Sequence, residues 1–433
     1  MIVSTAGQRA EPPENTPPRR VDSADDARQA SVAESALDRP VALHPLTYLE
    51  EHGEVVIGRP DIDSYGVFPP DGAALVRQLA AGTPPAQAAR WYADAYDEQV
   101  DLKDFIDTLR ELHFLGGPGA AASQPLRWQR LGRWMFSPAA WLGYGLLIAA
   151  AVAAMAVRPR LAPHPGNLIF THYMTVLELV LFLVLFLGQF PLILLHEAFH
   201  ILAGRRLGLR SSLRVGRRLY YAVFETALDG LVAVPRRQRY LPMLAGMLSD
   251  LVVIAVLTLA ADATMRPDGS IPLVGAICLA LAYETLLRFA WQFFVYLRTD
   301  VYAVVVTVLG CMDLHAAAQC ILANRVRSLL RRPRIDESVL HPRDRAAGRW
   351  YSWLMLAGYA FSIATVAVGA APVTWRVLAT VVGRLTAGGH PSSDIADSVI
   401  FLTLNLAQII VILAFVLRSW RRRRHQPPNR RPA

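Results

Sequence analysis

From about residue 136 onward the chain is organised by long apolar runs, and before that point by short amphipathic ones. Six runs approach or exceed the roughly 20 residues that a helical bilayer crossing needs. They lie near 136–157, 172–203, 241–262, 271–297, 351–373 and 396–417. The pattern predicts a mostly α, polytopic helical membrane protein with about six transmembrane helices. Ahead of them, residues 41–118 read as a small α+β domain. Short β-prone pieces at 54–57 and 64–68 precede three helical stretches, marked by Ala73, Leu75, Val76 and Leu79, by residues 88–96, and by Phe105, Ile106, Leu109 and Leu112.

A hairpin followed by three helices is a winged-helix-like plan. Residues 1–40 are polar and proline-rich (Pro12-Pro13, Pro17-Pro18) and are expected to be disordered. They lack an apolar signal core, so the start of the chain is expected to stay in the cytoplasm. Residues 119–135 read as a basic linker with Arg127, Arg130 and Arg133, and 418–433 as a basic cytoplasmic tail.

Composition sharpens the membrane reading: 53% of residues are hydrophobic and 18% charged. The formal charge of +9 could point to nucleic acid, but the arginines gather beside the apolar runs, at 205–218, 236–239, 325–349 and 418–424. That distribution follows the positive-inside rule and predicts a multi-pass cell-membrane protein with both termini cytoplasmic. The small domain is acidic, with thirteen Asp or Glu against five Lys or Arg between Leu43 and Pro118, a poor match for a phosphate backbone. No nucleic-acid partner is expected. Cys278, Cys311 and Cys320 are odd in number and lack a C-x-x-C spacing, which favours packing over disulfides or a thiolate metal site.

The chemistry gathers at His196-Glu197-Ala198-Phe199-His200. Histidines four apart on a helix stand one turn apart on one face and can bind a single zinc ion. Glu197 then adjoins the ion and suits a general base. An almost wholly apolar stretch, 182–195, precedes the motif, where unpaired ionisable groups cost roughly 2.5–3.5 kcal/mol each at the bilayer centre. The bland arrangement leaves the motif metal-free, facing water beside Arg205 and Arg206. Glu284 and Arg288, also four apart, read either as an intrahelical ion pair or as support for a ligand or oxyanion. Helix-to-helix hydrogen bonding accounts for Glu178, Asn405 and Gln408.

Leu195 to His200, followed by Ala203-Gly204-Arg205-Arg206-Leu207-Gly208, resembles the zinc helix of the site-2-protease class of intramembrane zinc peptidases. Residues 244–250 (Leu-Ala-Gly-Met-Leu-Ser-Asp) are similar to that family's Ala-Gly-Pro…Asn segment, with Met247 for the proline and Asp250 for the asparagine. The resemblance spans about 182–314. It implies a third ligand, an aspartate, at Asp300 in Arg298-Thr299-Asp300-Val301-Tyr302, where Val301 replaces the family's glycine. The stretch 309–314 resembles the family's continuation. Asp229, Asp250 and Asp313 are the competing carboxylates, and a vacant position is the remaining option. The family also places a hairpin, here 219–234, beside the substrate.

In the small domain, residues 65–68, 80–84 and 109–116 resemble PqqD-like domains, which bind precursor peptides. That likeness implies capture of a leader peptide by strand addition; a folded cap without a ligand is the plainer alternative. Together these features lead to the expectation of an intramembrane zinc metalloprotease cutting a small precursor or membrane-associated peptide, in peptide natural-product maturation. Its expected cofactor is Zn2+, with His196, His200 and Asp300 as metal ligands and Glu197 as the catalytic residue. The competing expectation is a non-catalytic membrane peptide-binding or export-partner protein. Transport is disfavoured by the lack of nucleotide-binding glycine loops or a clear inverted repeat.

Overall fold

The computed structural model describes residues 38–51, 53–116, 126–168, 176–218 and 221–370, with scattered residues between 375 and 410. The expected disordered segment, the sixth crossing at 396–417 and the basic tail lie largely or wholly outside them. The described chain is mostly helical and divides into two units, one comprising residues up to Arg127 with Leu228–Arg239, the other Trp128–Ala227 with Tyr240 onward.

The first unit holds strands β1 (Thr47–Glu51), β2 (Glu54–Arg59) and β3 (Ser64–Phe68) in one antiparallel sheet of order β1-β2-β3. Helices α1 (Pro70–Ala80), α2 (Pro85–Tyr96) and α3 (Leu102–Glu111) follow. Proline opens α1 and α2 at a position whose N–H has no helical partner, and Asp101 caps α3 by accepting from the N–H groups of Lys103 and Asp104 at 3.1 Å. Ile57, Leu75, Val76, Leu79, Leu109 and Phe114 are fully buried and form the core.

Two of these strands and all three helices match the sequence pattern; strand β1 does not appear in it. Thr47–Glu51 ends in two glutamates on an edge strand and buries none of its residues, so its alternation carries little hydrophobic signal. The segment Leu228–Arg239 is held in this unit by charge-assisted contacts. Asp63 accepts from the Gly230 N–H at 2.8 Å, while Glu51 accepts from the Arg236 N–H at 3.0 Å and from Arg239 Nη2 at 2.9 Å.

The second unit contains α4 (Gln129–Met135), α5 (Pro138–Val157), α6 (Val176–Arg206), a two-stranded sheet of β4 (Arg210–Arg218) and β5 (Tyr221–Asp229) as far as Ala227, and α7 (Arg236–Thr264) from Tyr240 onward. Helices α8 (Leu273–Trp291), α9 (Asp300–Leu309), α10 (Leu314–Leu329) and α11 (Pro342–Thr365) complete it. Among the described residues four helical stretches are long and apolar enough to cross a membrane: Pro138–Val157, Arg236–Thr264, Leu273–Trp291 and Pro342–Val368. A fifth arises if α9 and α10, bent by 87°, count as one span. Several long apolar helices are consistent with a membrane protein.

The bent pair is absent from the six expected runs. Gly310 takes a left-handed φ of 64° to end α9, Asp313 caps α10, and Gln319, Asn324 and Arg325 make α10 polar in any window average. Strand β4 likewise reads as a loop because four of its nine residues are arginine. Gln129–Met135, which composition leaves in the linker, is a helix packed on α6. A Cβ at Gly132 would lie 2.3 Å from the Leu202 carbonyl oxygen, so only glycine permits that approach. Phe136 meets Phe199 edge-on with centroids 6.1 Å apart, fixing the face of α6 between the two histidines.

Candidate metal centre

His196 and His200 are buried on α6, one turn apart as their spacing requires. Asp300 reaches them from another element. Helix α8 stops at Trp291, Arg298 takes a left-handed φ of 59°, and Asp300 becomes the first residue of α9, where the helix N-terminus favours a negative charge. Gln292 fixes this turn: its Oε1 accepts from the Asp300 N–H at 3.2 Å, and its carbonyl oxygen accepts from Thr299 Oγ1 at 2.5 Å.

Three atoms converge. His196 Nε2 and His200 Nε2 each lie 3.2 Å from Asp300 Oδ2 and 3.3 Å from one another. His200 Nδ1 stands 2.7 Å from the Pro242 carbonyl, an acceptor only, so Nδ1 carries the proton and Nε2 presents its lone pair to the centre. An electron-rich nitrogen, a second imidazole nitrogen and a carboxylate oxygen at this spacing repel one another unless a cation or protons lie among them. The group His196, His200 and Asp300 can therefore hold a metal ion.

The competing carboxylates are placed elsewhere. Asp313 caps α10, accepting from the Ala316 N–H at 3.1 Å. Asp229 closes β5 and is not among the three grouped residues. Asp250, fully buried on α7, faces the other nitrogen of His196: its Oδ1 lies 3.1 Å from Nδ1. The same oxygen accepts from Arg288 Nη2 at 2.6 Å and Nε at 3.2 Å, and Arg288 Nη1 donates to Gln189 Oε1 at 2.9 Å. A carboxylate behind a liganding imidazole fixes the ring and raises its basicity.

Arg288 thus forms no ion pair with Glu284 on its own helix among the described residues. The buried carboxylate of Asp250 takes both donors, Nη2 and Nε, on its single oxygen Oδ1 across the helix interface. Arg288 thereby stands behind Asp250, whose Oδ1 lies 3.1 Å from His196 Nδ1.

Glu197 is buried beside the group without belonging to it. Thr226 Oγ1, on β5, lies 2.7 Å from Glu197 Oε2 and 3.2 Å from its carbonyl oxygen. Gly246 on α7 faces both imidazoles: a Cβ there would stand 2.3 Å from each Nε2. Sequence reasoning missed Thr226, Gln189 and the Pro242 carbonyl, for which no local pattern exists. Asp250, a carboxylate midway along an apolar run, and Gly246, in the Ala-Gly pair, carried a signal without its meaning.

Comparison of the chain with protein-family models, with curated proteins and with solved structures returns no match.

Proposed function

We propose that the chain is a membrane-embedded, zinc-dependent endopeptidase that hydrolyses a peptide bond in a small precursor or membrane-associated peptide. The carrying observation is the triangle of His196 Nε2, His200 Nε2 and Asp300 Oδ2, with sides of 3.2, 3.2 and 3.3 Å. Bonds of about 2.0 Å in a tetrahedral zinc site separate neighbouring donors by about 3.3 Å, so the three atoms fit one face of that tetrahedron. Three protein ligands of N, N and O type leave one position for substrate or water, the pattern of catalytic rather than structural zinc. When bound, the ion supplies Lewis acidity toward the scissile carbonyl and toward water.

The chain's own groups supply the rest. Pro242 and Asp250 hold the two imidazoles from behind, so the donor atoms are preorganised. Glu197 takes the proton of the water that attacks the carbonyl carbon, then delivers it to the departing amine nitrogen as the C–N bond breaks. Thr226 anchors the Glu197 carboxylate through Oε2, limiting its rotation. Because Thr226 lies on β5, an extended peptide added to the edge of the β4–β5 sheet would pass the base in a form suited to cleavage. The N-terminal domain, with β1 at one edge of its sheet, would recruit the substrate's leader and raise its local concentration.

The test uses purified full-length protein. Wild type and Glu197→Gln are both expected to retain about one zinc per chain, while cleavage of a precursor peptide encoded beside the gene falls by roughly 100- to 10,000-fold in the variant. Equal cleavage by both would overturn the assignment of the base. Retained zinc with no cleavage by either protein, and tight binding of the intact peptide, would favour a non-catalytic peptide-binding or export role.

A further inference from the structure

Between the C-terminal half of α10 and the first turns of α11 lies a cavity of about 700 Å³, remote in sequence from the metal motif. Its polar lining is Asn324, Arg325, Ser328, Arg334, Glu337 and Arg349. Three guanidinium groups against one carboxylate give the lining a net formal charge of +2. The negative end of the α10 dipole, worth about half a charge, does not cancel it. Among the described residues none of the three arginines forms an ion pair.

The walls are fixed. Asn324, 4% exposed, donates to the Ile335 carbonyl at 2.9 Å and to Glu337 Oε1 at 2.8 Å, and accepts from the Ile335 N–H at 2.8 Å. That pins the loop after α10 back onto the helix. Arg325 donates to Ser352 Oγ at 2.7 Å and to the Arg349 carbonyl at 3.0 Å, and Arg334 donates to Ser328 Oγ at 3.2 Å. Each arginine keeps unused donors. A stop-transfer flank needs only positive charge beside an apolar run; it does not need arginines converging on one cavity around an anchored loop.

The rim is apolar. Leu329 lines the cavity and is 84% exposed, Trp353 lies 4.3 Å beneath the guanidinium of the lining Arg325 with 59% exposure, and Val326 and Trp350, the chain neighbours of the lining Arg325 and Arg349, are exposed as well. These residues mark the point where α11, a candidate span, passes from its polar first turns into its apolar stretch. Tryptophan beside arginine at the end of a span is the composition of a membrane–water boundary. We propose that this cavity binds the phosphate of an anionic phospholipid, with the acyl chains lying along Leu329 and the two tryptophans. A free phosphate would use the arginines and leave the apolar rim without a role.

The test is lipid retention by full-length protein in detergent, read by native mass spectrometry. Wild type is expected to retain phosphatidylglycerol over phosphatidylcholine. Arg334→Gln/Arg349→Gln, which changes two exposed side chains and leaves Arg325 in place, is expected to bind phosphatidylglycerol roughly 30-fold more weakly. Equal retention of the two lipids by wild type overturns the proposal without reference to any variant. Undiminished phosphatidylglycerol binding by the double variant overturns the location. Displacement of the lipid by millimolar inorganic phosphate would assign the cavity to a free anion and overturn the lipid reading.

Discussion

Gly246→Ala sets two physical effects against one another. In a helix interior alanine is favoured over glycine by about 0.5–1 kcal/mol, so local propensity alone expects the variant to be more stable. The packing says otherwise. The new methyl carbon would stand 2.3 Å from His196 Nε2 and 2.3 Å from His200 Nε2, against a normal contact near 3.4 Å. To gain about 1 Å, either α7 must retreat or both rings must turn, and overpacking of this kind costs about 1–3 kcal/mol. Ring rotation breaks the 2.7 Å contact of His200 with Pro242 and the 3.1 Å contact of His196 with Asp250. Disturbing one such support costs 10- to 100-fold in metal affinity, so disturbing both is expected to cost about 100-fold or more. Metal titration with a competing chelator reads this directly, and thermal unfolding with and without metal separates affinity from stability. A variant with wild-type metal affinity and raised stability would refute the placement of α7 against the imidazoles.

Asp250→Asn is expected to keep the fold and weaken metal binding by about 10- to 100-fold, whereas Asp250→Ala should also destabilise by about 1–3 kcal/mol because the part-buried Arg288 loses its carboxylate; chelator titration and thermal melts check the pair. Thr226→Val should leave metal content unchanged and lower peptide cleavage by roughly tenfold, since Glu197 loses a hydrogen bond to its charged form; kcat measured beside metal content tests it. In the small domain, the hydrogen bond from Tyr92 holds the Asp71 carboxyl below its usual range. A depressed folded-state pKa gives stability that is present above the unfolded value near 3.9 and lost as pH falls through the folded value. Tyr92→Phe should therefore reduce the loss of stability on acidification below about pH 4, followed through the fluorescence of neighbouring Trp91.

Legibility in this chain tracks sequence distance. The pairing of His196 with His200 needs only the helical repeat, and the apolar lengths of α5, α7 and α8 declare themselves in composition. The core positions Leu75, Val76, Leu79 and Leu109 follow from periodicity in the same way. Strands β1 and β4 escaped because glutamates and arginines on exposed edge positions hide an alternation that only pairing reveals.

Local sequence, then, determined the long apolar helices and the helices of the small domain, and that two imidazoles share one helical face. Tertiary structure decided the carboxylate that meets them 104 residues later, the turn of Arg288 toward Asp250, the hold of Thr226 on Glu197, and the need for glycine at 246. Periodicity reaches one or two turns along a chain. Which of several aspartates comes within 3.2 Å of both imidazole Nε2 atoms depends on how helices pack, which no window of neighbouring residues contains.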